Sequence, residues 1–198
     1  MIREALEPLI IYRQNKGQLY MINKQIWRYK NMIKSKKMQD NFPKCVTVII
    51  RNEKGEILML EHVKCKHKFT FPAGTMEPDE REMKDGYVKT VVREMKEELD
   101  LDVNPEHVCC IETTWAYYDR IDGHKLYWEH VCELIADHYA REVKNMEPEK
   151  HPTMKWVSPR YVFLHPQEFT YQTWNVVTTY FDSQWYNGDI KFVPDEEN

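Results

Sequence analysis

Three glutamates, Glu94, Glu97 and Glu98, close the run Arg93-Glu-Met-Lys-Glu-Glu-Leu99. On an α-helix, at about 100° per residue, they fall within an arc of roughly 100°. Val88, Val91, Val92, Met95 and Leu99 fill the adjoining arc, the apolar face that would anchor the helix. Carboxylates set so close together repel one another unless a cation joins them. Hard oxygen ligands suit Mg²⁺ or Mn²⁺, which bind a few carboxylates and complete their shells with water and phosphate. Arg93 stands one turn before Glu97 and could fix a carboxylate by a charge-assisted hydrogen bond. Taken alone the run reads as a solvated acidic face; its surroundings reverse that preference.

The tetrapeptide Arg-Glu-Met-Lys also occurs at 81–84. That copy is followed by Asp85-Gly86 and lacks a carboxylate. Even on a continuous helix it would point about 120° from the Glu94 face. It is expected in an inserted loop or an extra first turn, and not as a second site.

Upstream, "FPAGTMEPDE" places Gly74 ahead of Glu80. Gly74, Glu80, Arg93, Glu94, Met95, Glu97, Glu98 and Leu101 match by type the box of the Nudix hydrolases, the MutT-type phosphohydrolases, and the chain resembles that family over residues 44–198. There are two departures. Twelve residues rather than the family's seven separate Glu80 from Arg93, which leaves open whether the two still meet. The glycine that ends the box helix is replaced by Asp100, which tolerates a left-handed cap less well.

The resemblance implies an α/β/α sandwich with a mixed sheet, a central box helix and a C-terminal helix. It implies hydrolysis of a nucleoside diphosphate linked to another moiety. The Ala73 carbonyl, Glu94, Glu97 and Glu98 would hold Mg²⁺ or Mn²⁺, with Gly74, Glu80 and Arg93 shaping the box. Glu94 or Glu97 would be the general base, and Glu94 is preferred here. "NMEPEKHPTMKW" resembles a loop that supplies a further carboxylate in nucleoside triphosphate pyrophosphohydrolases, which nominates Glu147 or Glu149. The favoured substrate is therefore a (deoxy)nucleoside triphosphate, oxidised or otherwise modified ones included. Capped RNA and NAD-type or sugar-nucleotide diphosphates are the alternatives. A non-catalytic nucleotide-binding module ranks below these, because Glu97 and Glu98 are both retained.

Other candidates rest on residue type. Lys66 and Lys68, in "KCKHK", could meet phosphate, though a solvated loop fits them equally well. Trp115 and Tyr117 share one face of a strand and could stack on a base, whereas core packing is the plainer reading for each aromatic there.

Around these residues the chain reads as strands with two long helices. "KCVTVIIRN" and "EILMLEHV" form a hairpin across "EKG", and "FTFPAG" is a short strand. "VCCIETTWAYYDR" and "KLYWEHVCELIAD" pair around "IDGH", "MKWVS" is a last strand, and residues 168–186 form the terminal helix. Residues 1–43 carry nine Lys/Arg against three acids, a net of +6 that leaves −10 for the rest. They are read as a basic extension holding two short strands and a helix, followed by a hydrolase domain at 44–198. The extension leaves RNA open as a partner beside the nucleotide, and a homodimer is compatible. The five cysteines form no Cys-x-x-Cys pair, and no run approaches eighteen apolar residues. Both facts suit a reduced, cytoplasmic chain without a membrane span or secretory signal.

Overall fold

A computed structural model describes residues 42–187. Nearly all of the basic segment, with its two expected strands and its helix, lies outside them. Strand β1 (Lys44–Ile49) is buried on both faces, as its run of β-branched residues requires. β2 (Ile57–His62) follows a turn in which Asn52 accepts from Gly55 N at 2.9 Å. The "EKG" hairpin forms only at this tip, through an Arg51–Ile57 bridge. Beyond it the strands part into different sheets. The expected strand "FTFPAG" is likewise divided into β3 (Lys68–Thr70) and β4 (Ala73–Thr75). Pro72, which has no N–H to donate, stands at the break, and Phe71 beside it is buried.

Helix α1 (Pro78–Glu82) and the box helix α2 (Gly86–Leu99) come next. The long pair β5 (Val108–Arg120) and β6 (Gly123–Leu134) follows, with a register shift between Cys110 and Glu112. Short α3 (Tyr139–Glu142), β7 (Met154–Val157), α4 (Pro159–Leu164) and the terminal α5 (Tyr171–Asn187) complete the described chain. One sheet has the order β4-β1-β6-β5, with β1 and β6 parallel and the other pairs antiparallel; the second is β3-β2-β7.

The period-2 alternation of β1 and β2 shows how the layers stack. Val46, Val48, Ile50, Leu58 and Leu60 share a core with Val91, Met95 and Leu99 of α2. Ile49, Ile57 and Met59 share the other with Val176, Val177 and Phe181 of α5. The sheets thus form one layer between two helices. Burying each of the three α2 side chains is worth roughly 2 kcal/mol, which fixes the helix against the strands and turns its glutamates toward β4.

Candidate functional site

Residues on three elements meet along α2. Glu94 is 8% exposed and lies directly on Gly74 of β4. A Cβ at Gly74 would stand 1.8 Å from Glu94 Cδ, so only glycine lets the carboxylate reach this depth. One turn on, Glu98 is 1% exposed, and its Oε2 accepts from Ala73 N at 3.2 Å. Glu97 points outward, with its side chain 54% exposed.

Arg93 ties the acids together. Its Nε and Nη2 donate to the two oxygens of Glu80 at 3.1 and 3.2 Å, while Nη1 donates to Glu94 at 2.7 Å and Glu97 at 3.3 Å. Nη2 also reaches the Thr75 carbonyl at 3.0 Å. The fork of the guanidinium suits this use, which an ammonium could not match. Glu80 further accepts from Glu77 N at 2.7 Å and Thr90 Oγ1 at 2.8 Å. Burial works against its charge, but these donors outweigh burial and hold its carboxyl below the usual range.

The five extra residues therefore do not break the Glu80–Arg93 contact. Arg81 and Glu82 end α1, Met83 caps it, and the chain turns at once into α2. At that junction Gly86 presses on Glu80, where a Cβ would come 1.6 Å from its carbonyl oxygen. The glycine that interrupts the helical pattern in sequence is what allows the two helices to join so closely. The Asp100 departure is resolved as well. Asp100 adopts the left-handed cap at φ 56°, and its carboxylate accepts from Lys96 and Lys144, each at 2.8 Å.

Beyond Glu98 lies the segment before β7. Lys150 Nζ stands 2.7 Å from Glu98 Oε1 and 2.8 Å from Glu147 Oε2. Glu147 thus joins the site, whereas Glu149 is exposed on the same loop. His151 is buried, with Nε2 3.2 Å from Glu98 Oε1, and His62 packs edge-on against its ring at 5.1 Å. Burial and then the neighbouring cations push His62 down to about 4. Lys150 and His151 were legible in "EPEKHP" as a cation and a nitrogen ligand beside two acids, but residue type alone singled out only the acids.

The remaining candidates are farther off. Lys66 pairs with Asp119 at 2.5 Å, and Ile121 N donates to Lys64 O at 2.8 Å, so the tip of the β5–β6 hairpin is fastened to the β2–β3 turn. Lys68 lies on β3 opposite His62. Trp115 meets Trp128 and Phe42 at ring distances of 4.8 and 5.1 Å, and Tyr117 Oη lies 2.6 Å from His124 Nδ1. β5 and β4 are three strand spacings apart, roughly 14 Å, about the span of a nucleotide but too far for one group to reach both. Tyr118, on the other face, donates to buried Glu129 at 2.7 Å.

The donor set fits a hard dication: two buried carboxylates and one exposed, beside the β4 backbone at Ala73, with protein cations already against the carboxylate oxygens. Burial pushes Glu94 up to about 7 despite Arg93, the behaviour of a carboxylate whose charge is under-compensated. At Glu98 burial is overcome by the His151 contact and Lys150, which hold its carboxyl below the usual range.

Residues 41–179 match the family model of the NUDIX domain. The chain belongs to the Nudix family. A Nudix chain is a pyrophosphohydrolase that acts on nucleoside diphosphate-linked substrates with divalent cations. The MutT protein of Methanosarcina mazei is similar at 19% identity, over 72% of this chain and 95% of that one, with a TM-score of 0.53. The bifunctional NMN adenylyltransferase/ADP ribose pyrophosphatase of Francisella tularensis is similar at 17% identity, over 85% of this chain and 50% of that one, with a TM-score of 0.50. Both likenesses bear on the fold alone. No curated protein matches the chain. Among the described residues, no helix is long and apolar enough to cross a membrane.

Proposed function

We propose that this Nudix chain hydrolyses a nucleoside triphosphate, base-modified ones included, to the monophosphate and pyrophosphate. The observation that carries the reading is the approach of Glu147 to Glu98 through Lys150, since a loop carboxylate of this kind is what the resemblance associates with triphosphate substrates. Glu94, Glu97, Glu98 and the Ala73 carbonyl would hold Mg²⁺ or Mn²⁺. Such an ion offsets the charge of the diphosphate and makes water more acidic.

The chain's own residues do the rest. Glu94, with its carboxyl pushed up to about 7, is suited to take a proton near neutral pH, and Arg93 Nη1 at 2.7 Å fixes its Oε1 in place. Glu97 is the second candidate for that step and the most open to solvent of the three. Lys66 and Lys68 are assigned to phosphate, and Trp115 and Tyr117 to the base. Residues 1–43 are assigned to a separate basic extension, on the strength of their charge.

The test is the purified full chain with Mg²⁺ or Mn²⁺ and a panel of nucleotides. Triphosphates should release pyrophosphate, and Glu97→Gln should lower turnover by orders of magnitude. No hydrolysis of any substrate by the parent, or unchanged turnover in the variant, would refute the assignment. One observation favours a second reading, cleavage of capped RNA: the +6 charge of residues 1–43. Filter binding of an RNA oligomer separates the two, because a decapping enzyme must show salt-sensitive retention.

A further inference from the structure

The segment between α3 and β7 does more than present one carboxylate. It is fastened to the end of α2 by its backbone: Lys144 N donates to Leu99 O at 3.0 Å, and Met146 N to Glu98 O at 2.9 Å. Asn145 closes the loop on itself, donating from Nδ2 to His151 O at 2.6 Å and accepting from Glu147 N at 3.2 Å. Lys150 N and His151 N both donate to the Glu147 carbonyl, at 3.0 and 2.8 Å. These bonds hold three ligand-type groups around one point. One atom each from Glu98, Glu147 and His151 lies within 4.8 Å of the others.

One neighbour fixes the proton on the imidazole. His151 Nδ1 lies 3.0 Å from the Glu61 carbonyl, which can only accept, so Nδ1 carries a hydrogen. The other ring nitrogen, Nε2, faces Glu98 Oε1 3.2 Å away. His151 is 2% exposed and Glu98 1%, and a carboxylate buried to this depth calls for positive charge. The Lys150 ammonium supplies some of it, bonded to both Glu98 and Glu147. It stands where an ion shared by those carboxylates would sit.

We propose that Glu98, Glu147 and His151 Nε2 form a mixed nitrogen–oxygen site for a divalent first-row transition ion, with Lys150 as the resident cation that the ion displaces. The proposal rests on the metal reading of α2 for Glu98 and adds a nitrogen ligand that the box carboxylates do not provide. An imidazole discriminates where carboxylates do not. Mg²⁺ keeps to oxygen, whereas Mn²⁺, Co²⁺ and Zn²⁺ accept nitrogen with rising affinity. The Glu61 carbonyl serves the ring as an outer partner, holding the tautomer that leaves Nε2 free.

The test uses Mn²⁺ with the full chain, read by continuous-wave and pulsed EPR. The parent should show the hyperfine coupling of a directly bound ¹⁴N. His151→Asn keeps a donor for the Glu61 carbonyl but lacks Nε2, and the coupling should vanish. Its Mn²⁺ affinity should fall on the order of tenfold or more, since even outer-shell changes cost that much. Its Mg²⁺ affinity should fall far less. Lys150→Met, by removing the competing ammonium, should bind Mn²⁺ more tightly. If His151→Asn does not fold, the parent spectrum still decides, and Glu147→Gln, at a side chain 34% exposed, should weaken Mn²⁺ binding. Mn²⁺ bound without ¹⁴N coupling in the parent overturns the proposal and leaves the metal reading of α2 standing. No Mn²⁺ binding at all overturns both.

Discussion

Glu94 owes its position to a residue with no side chain. Gly74→Ala would place a methyl carbon inside the Glu94 carboxylate, which must swing out of the site. The expected result is a protein that still folds but has lost most of its metal affinity and turnover, as calorimetric titration and a turnover assay would show. The same burial gives Glu94 a pH signature. Its folded pKa of about 7 lies above the ordinary 4.5, so the folded state holds the proton more tightly than the unfolded chain does. The resulting stabilisation is complete below about 4.5 and is lost as the pH rises through about 7. In EDTA, the Tm of the parent should therefore fall between pH 5 and pH 8 by several degrees more than that of Glu94→Gln. Parallel Tm profiles for the two proteins would disprove this account. The acids held low, Glu80 and Glu98, act below this window and do not blur it.

At the level of elements, Arg93 makes α1, β4 and α2 one unit. Arg93→Lys keeps the charge but cannot bridge Glu80, Glu94, Glu97 and the Thr75 carbonyl together. Urea unfolding should show a loss of about 1–3 kcal/mol, because Glu80 is left buried with fewer donors. The box was legible in sequence because its residues are close along one helix, and helical geometry converts spacing directly into a shared face. The Glu80–Arg93 contact was not, since it depends on how the inserted residues turn. Nor was the approach of His151 to Glu98, which joins residues 53 positions apart. A strand pattern shows that Phe69 and Thr75 are extended, but it carries no sign that Pro72 sends them into different sheets.

For the molecule as a whole, that crossing is where the two sheets become one layer. Phe71 is 1% exposed and packs in the core under α5, with Met59, Val131 and Phe169 around it. Phe71→Ala should cost about 3–5 kcal/mol, measured by chemical denaturation, and should lower the Tm of the described domain as one transition. Two separate transitions would mean that the sheets are independent. The charge asymmetry of the chain was plain from composition, and the α/β/α layering followed from the resemblance together with the strand-and-helix order. Which strands neighbour which was not, because a parallel β1–β6 pair joins residues more than 80 positions apart.

The α1–α2 junction has a practical use. Glu82, Met83, Lys84 and Asp85 are all exposed, while Glu80, two residues before them, and Gly86, just after, are clamped against each other. The longer spacing is taken up there with the Glu80–Arg93 contact still made. This is a natural docking point for an engineered insert, such as a fluorophore cysteine or a short affinity tag, which would ride on the turn and report on the glutamate helix without disturbing it. The first Arg-Glu-Met-Lys thus runs out onto an exposed turn, and the second carries the glutamates on a helix packed against the core.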